Sequence, residues 1–257
     1  MMADTAARNT STKSQRDNRV VVVMPTYNEI DNLGTTLAGI FSCTHGADVL
    51  VVDDNSPDGT GKMADFIAQG EPRLHVLHRK AKNGLGPAYL DGFHWALQQR
   101  YDVICEMDMD GSHRPQDLAR MLDVVERNPH VDLVIGSRRV RGGQTVNWPL
   151  LRDVISRTGS WYARCMLALP VHDVTAGFRA YRASLLQQID LENIEANGYV
   201  FQVDMTRRAH QAGANILEIP IAFIERTQGK SKMGTGIVLE AMLRVTAWGA
   251  ERIVKRS

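Results

Sequence analysis

The chain has 257 residues, 44% apolar and 23% charged, a globular composition that excludes wholesale disorder. Its 30 basic and 29 acidic side chains leave a net charge of +1, so no global field announces nucleic acid or membrane and any anion site must be local. That length suits one large α/β domain or two small ones, and the three scattered cysteines, Cys43, Cys105 and Cys165, match neither a disulfide framework nor a zinc spacing, as expected of reduced thiols in a cytoplasmic protein.

Residues 1–19 are polar, lack the apolar segment of a secretory signal, and read as a disordered tail. "VVVVM" (Val20–Met24), closed by Pro25, is a buried strand. Glu29 to Phe41 predicts a helix with Leu33, Leu37 and Ile40 or Phe41 on one face. "DVLVVDD" is a second strand, stopped by the turn-rich "NSPDGTG". A helix near Lys62–Gln69, a strand at Leu74–His78 and a loop feeding a helix in "NGLGPAYLDGFHWALQQR" follow. "DVICEMD" is the fourth strand, Pro115 to Arg127 a helix with proline in its first turn, and "VDLVIGS" the fifth strand. Beyond Ser137 come a basic loop, "RRVRGGQTVN", and a helix over roughly Leu150–Leu169 with Leu151, Val154, Ile155 and Thr158 on one stripe. "HDVTAGFRAYR", "GYVFQVDM" and "ILEIPIAFIERTQGKSKMG" bring shorter strands and turns before an amphipathic helix, Gly236 to Lys255, with Val238, Met242, Val245 and Trp248 or Gly249 in register.

Strands alternating with helices imply an α/β fold, a mostly parallel sheet with helices on both faces, here a single domain over 20–257. Ligands of such sheets gather beyond the carboxyl ends of the strands. "PTYNE", "DDNSPDG" and "DMDGS" each fall at such an end. In the last, Asp108 and Asp110 repel each other unless something positive compensates them, and two carboxylates one residue apart can reach one hard cation such as Mg²⁺ or Mn²⁺. A wet surface turn is the bland alternative.

The ordered series "MPTYNEIDNL", "VVDDNSPDGT", "KNGLGPAY", "MDMDGSH", "GSRRVRGG", "DVTAGFRAY", "GYVFQVDM" and "ERTQGKSKMG" resembles the polyprenyl- or dolichyl-phosphate mannose synthases, family-2 glycosyltransferases of the Rossmann-like GT-A fold. The resemblance runs from about Val20 to Gly234, and its last four motifs are the narrow ones. It implies a GDP-mannose donor, a polyprenyl or dolichyl phosphate acceptor, inversion at the anomeric carbon and a divalent metal. By the same resemblance Pro25, Tyr27, Glu29, Val52 and Asp54 hold the nucleoside, while Asp108, Met109 and Asp110 form the metal and diphosphate motif. Ser112 stands where some relatives have a metal-assisting glutamine, and Arg138, Arg226 and Lys232 match phosphate contacts. Arg152 and Lys82 are further candidates, Arg139 and Arg141 have no assigned role, and Asp173 is read as structural.

A lipid monophosphate already carries about −1.5 to −2 charges near neutral pH, so it needs no catalytic base to attack. The enzyme must bring two anions together. A UDP-glucose donor and a non-catalytic nucleotide-binding subunit are the alternatives. A dinucleotide oxidoreductase is disfavoured, because "GLGPAY" lacks the third glycine of the fingerprint and does not follow the first strand. No apolar run reaches membrane-spanning length, so the expected location is the cytoplasmic face of a membrane, peripherally bound. Contact there falls to the amphipathic helices, against the bilayer or a separate membrane-anchoring protein; nucleic acid is not an expected partner.

Overall fold

The computed structural model describes residues 18–194, 199–225 and 235–254. The expected tail lies outside the described residues up to position 17. Arg19, assigned to that tail, belongs to the fold: its backbone N–H donates to Asp102 at 2.8 Å and its guanidinium stacks on Tyr101.

In chain order the elements are β1 (Val20–Thr26), α1 (Ile30–Cys43), β2 (Ala47–Asp53), α2 (Thr60–Ala68), β3 (Leu74–His78), α3 (Leu85–Gln98), β4 (Val103–Glu106), α4 (Pro115–Arg127) and β5 (Leu133–Ser137). They continue with β6 (Gln144–Val146), α5 (Leu150–Leu167), β7 (Arg179–Arg182), α6 (Ala183–Gln188), α7 (Tyr199–Gln211), β8 (Ile216–Pro220), β9 (Ala222–Ile224) and α8 (Thr235–Val254). The main sheet has the order β3-β2-β1-β4-β7-β5-β8, parallel except for β7, which runs against β4 and β5. A small parallel pair, β6 with β9, stands apart. The mostly parallel α/β architecture expected from the sequence is what forms.

Buried β-branched runs explain the centre. Val21 and Val23 point into one apolar layer with Leu50, Val52 and Phe93, while Val22 and Met24 point into the other with Leu33, Leu37 and Met121. One sheet thus has two covered faces, the usual condition for parallel pairing. Gly92 on α3 permits the close approach, since a Cβ there would lie 2.3 Å from Val23 Cγ1.

Three differences from the expected elements have physical reasons. β1 runs through Pro25 to Thr26, because its pairing with β4 ends at Val23 and the missing proline N–H faces no acceptor on that side. "GYVFQVDM" opens helix α7 and is no strand: Phe201, Met205 and Ala209, all buried, follow the i, i+4 spacing that the β-branched residues between them obscure. The basic loop after Ser137 contains β6, which finds its partner only in β9, far along the chain.

Candidate active site

The three polar turns lie together beyond the carboxyl ends of β1, β2 and β4. The first two interlock. Asp58, from the loop after β2, accepts the Ile30 N–H at 3.2 Å and the Thr60 N–H at 2.9 Å, so one carboxylate serves the N-termini of α1 and α2. Asp53 gathers Thr26, the Ser56 N–H and the Ser56 hydroxyl. These bonds fix the backbone of "PTYN" against "DDNS" before any ligand arrives.

Among the expected nucleoside contacts, Pro25, Tyr27 and Glu29 are half-buried on this rim. The Tyr27 ring carries the Lys82 ammonium 3.7 Å from its centroid, and Glu29 accepts Asn32 Nδ2 at 2.8 Å from the N-cap position of α1. Asp54 is buried and held by Arg79, whose Nε also donates to Asp91 at 2.6 Å. Sequence reasoning does not single out Arg79; a basic "HRK" at a strand end is the only local signal, since Asp54 and Asp91 are 25 and 12 residues away. Val52 and Met109 both turn their side chains into the core, and the Met109 carbonyl accepts the Thr36 hydroxyl, so only their backbone is left toward the rim.

Asp108 and Asp110 flank the turn after β4, and Gly111 at φ +75° lets the chain reverse there. Behind them His113 is buried, stacked on Phe178 at 4.6 Å, with Nδ1 facing the Asp108 N–H at 3.3 Å. Burial pushes the His113 imidazole pKa down to about 4, Asp110 opposing and Arg138 reinforcing the shift, so this ring is a neutral acceptor at physiological pH. The Tyr89 hydroxyl donates to Asp108 Oδ1 at 3.3 Å. Asp110 Oδ1 accepts the Ser112 N–H at 3.1 Å, while the Ser112 hydroxyl is buried without a hydrogen-bond partner among the described residues.

This donor set fits a hard divalent cation: it is all oxygen, and an unsatisfied buried hydroxyl lies next to the carboxylates. Among the described residues no group of three or more His, Cys, Asp or Glu could enclose a metal. Asp108, Asp110 and Ser112 could therefore supply only an open edge, leaving positions for oxygens of a bound molecule.

Arg138 follows β5 and is buried. Its Nε and Nη2 both donate to Asp173 at 2.7 Å, its backbone N–H donates to the same carboxylate at 2.9 Å, and Nη2 reaches Thr175 at 3.0 Å. Burial raises the Asp173 carboxyl pKa, but the Arg138 guanidinium and its hydrogen bonds outweigh that and hold it below the ordinary value. The structural role read for Asp173 agrees with this geometry. The fork of Arg138, expected on phosphate, is committed to a carboxylate. Gly143 makes the turn possible, since a Cβ there would sit 2.4 Å from the Ser137 carbonyl.

Next to this clamp lies a basic group that sequence reasoning under-weighted. Arg139 holds Asp153 at 2.7 Å and Ser156 at 2.9 Å, and Arg152 pairs with Glu225 and stacks 4.1 Å over Trp148. Arg139 Nε, Arg152 Nε and Trp148 Nε1 are buried donors with no hydrogen-bond partner among the described residues. Phe223 joins the two regions, edge-on to His113 at 5.1 Å and to Trp148 at 5.4 Å. Arg226 and Lys232 lie outside the described residues.

The apolar stripe of α5 faces outward. Leu151, Val154, Ile155 and Thr158 are exposed, as are Leu150 and Trp161, while Ser160, Ala163 and Leu167 face in. On α8, Val245 and Gly249 are buried, Trp248 is half-buried, and Met242 is 46% exposed; the Val238 side chain is outside the described residues. Among the described residues no helix is long and apolar enough to cross a membrane.

Sequence and structure comparisons agree with this geometry. An undecaprenyl-phosphate mannosyltransferase of Micrococcus luteus is 55% identical over 231 residues, 90% of this chain and 94% of that protein. A polyprenol monophosphomannose synthase of Mycolicibacterium smegmatis is 48% identical over 232 residues, 90% of this chain and 87% of that one. The fold is shared with a mannosyltransferase from Pyrobaculum calidifontis solved with GDP-Man and Mn²⁺, at TM-score 0.58 and 18% identity, covering 93% of this chain and 64% of that structure. Residues 21–190, which hold all three polar turns, both aspartates and the Arg138 clamp, match the family model described as glycosyl transferase family 2, and the chain belongs to that family.

Proposed function

We propose that this chain transfers mannose from GDP-mannose to a polyprenyl or dolichyl-type monophosphate, with inversion, giving a polyprenyl-phosphate β-mannose. The observation that carries the reading is an acidic turn, Asp108 and Asp110, joined through His113 and Phe223 to a group whose Arg139 Nε, Arg152 Nε and Trp148 Nε1 are buried donors with no hydrogen-bond partner among the described residues. High identity to relatives named for this transfer supports it.

Pro25, Tyr27, Glu29, Asp54 and the backbone at Val52 cradle the nucleoside. Asp108, Asp110 and Ser112 hold Mg²⁺ or Mn²⁺, which when bound supplies positive charge to the diphosphate of the leaving GDP. A phosphate oxygen of the lipid attacks the anomeric carbon. The bond from that carbon to the GDP oxygen breaks, and GDP departs with the electron pair. No side chain has to remove a proton, since the acceptor arrives ionised. Arg139 and Arg152 offer the acceptor phosphate directed N–H groups, a geometry guanidinium suits. Arg138 is held in place at the rim by Asp173, which balances its charge, and Arg138, Arg226 and Lys232 are proposed as further phosphate contacts.

The acceptor reaches this rim from a bilayer surface at the cytoplasmic face. Helix α5 supports that route: its Arg152 and Asp153 face the basic group, while Leu150, Leu151 and Val154 of the same turns face solvent with Arg157 beside them. An outward apolar face flanked by cations suits an anionic lipid surface.

Radiolabelled GDP-mannose, polyprenyl phosphate and Mn²⁺ or Mg²⁺ should yield label in an organic extract, abolished by chelator and by Asp110→Ala. Preference for UDP-glucose would replace the donor assignment. GDP binding without transfer would point to a nucleotide-binding subunit.

A further inference from the structure

Behind the acidic turn lies a buried group that the proposed chemistry does not use. Glu106, the last residue of β4 and two positions before Asp108, is fully buried. Its Oε1 accepts the Tyr181 hydroxyl at 3.0 Å and its Oε2 accepts Gln202 Nε2 at 2.6 Å. Tyr181 also receives Arg179 Nη1 at 3.3 Å, and Arg179 closes the loop before β7 by donating to the carbonyls of Ala176 and Val174 at 2.7 and 3.1 Å. That loop carries Asp173 and Thr175, the partners of Arg138.

A second path reaches the same turn. Phe201, next to Gln202, stacks on Tyr89 with centroids 5.9 Å apart and planes 4° from parallel. Tyr89 is fully buried, also stacks with Phe93 at 6.0 Å, and sends its hydroxyl to Asp108. Fully buried and packed against two aromatic rings, Tyr89 can place its hydroxyl in few other positions. The first turn of α7 therefore grips the end of β4 twice, through Gln202 to Glu106 and through Phe201 and Tyr89 to Asp108. The two contacts come from consecutive residues of one helix.

We propose that Phe201 and Gln202 of α7, acting through Tyr89 and Glu106, are positioning residues that set the Asp108 carboxylate for its cation. The inference rests on the reading of Asp108 as a metal ligand. Outer groups that orient a ligand contribute strongly to metal affinity. A carboxylate fixed in advance loses less rotamer freedom when it binds.

The test is calorimetric titration of Mn²⁺ into the protein with GDP present, and of GDP with chelator present, for wild type, Tyr89→Phe and Gln202→Leu. Tyr89→Phe keeps the ring stack and removes only the hydroxyl. Each variant should need about tenfold more Mn²⁺ for half-saturation, with chelated GDP affinity unchanged. A Mn²⁺ requirement equal to wild type in Tyr89→Phe overturns the inference, whatever becomes of Gln202→Leu. Equal losses with and without metal overturn it too, since they mark a general defect of the rim. Should wild type itself bind GDP without any help from Mn²⁺, the failure belongs to the metal reading of Asp108, a distinct result.

Discussion

The Arg138–Asp173 pair offers the sharpest energetic test. Asp173 is fully buried and accepts three hydrogen bonds from one arginine, two from its fork and one from its backbone N–H. Replacing it in Asp173→Ala takes from a guanidinium 6% exposed the buried carboxylate that accepts two of its N–H groups. Removing one partner of a buried pair costs about 3–5 kcal/mol, because the charge left behind is uncompensated. For a chain this size each kcal/mol lowers Tm by about 2–4 °C, so the expected drop is roughly 6–20 °C. Asp173→Asn keeps shape and one acceptor and should fall between. The sign with pH follows from the lowered Asp173 value. Its contribution is present above the ordinary carboxylate range and is lost as pH falls through the depressed pKa, so wild type and variant should converge in strong acid. Urea unfolding at several pH values measures this. A difference under about 1 kcal/mol near pH 7, or one independent of acid, would refute a buried, ionised clamp.

Three other outcomes are expected. Burial pushes the Glu106 carboxyl pKa from 4.5 to about 7, against the pull of Arg179, so its stabilising contribution is full below 4.5 and lost as pH rises through 7; Glu106→Gln should remove that slope, about 3 kcal/mol between pH 4.5 and 8, in thermal melts of metal-free protein. Arg79→Ala frees Asp54 and should weaken GDP binding about tenfold with little change in Mn²⁺ dependence, measured by nucleotide titration. Leu151→Asp with Val154→Asp should reduce flotation with anionic vesicles severalfold while leaving transfer to a short, water-soluble polyprenyl phosphate intact; unchanged flotation would assign the face to a partner protein.

The donor half of the rim was legible because each part is contiguous. "PTYNE", "DDNSPDG" and "DMDGS" announce themselves as polar turns after apolar runs, and a parallel sheet brings such turns to one edge whatever the details of packing. The supporting half was not legible, for a physical reason. Glu106, Arg179, Tyr181 and Gln202 sit on three separate elements, and each looks locally like an ordinary strand or helix residue; only the antiparallel insertion of β7 between β4 and β5 makes them neighbours. Arg138 carries the same lesson in reverse. Its type and position suggest a phosphate ligand, and no sequence window reveals that Asp173, 35 residues away, takes its Nε and Nη2.

Helix α5 shows what periodicity alone leaves open about a surface. Leu151, Val154 and Ile155 recur at helical spacing, which tells a reader that one face is apolar but not which way that face looks. Direction is set by what the other side must satisfy. Here Arg139 takes Asp153 and Ser156, and Glu225 takes Arg152, so polar residues in the first two turns are drawn inward to charged partners. Turning those partners inward forces the leucines outward. The same rotation that builds the basic group therefore exposes the apolar face, and under the proposed function one helix orientation would serve an anionic headgroup inside and hydrocarbon outside. A helix rotated to bury Leu151 would strip Arg139 of its carboxylate and lose both features together.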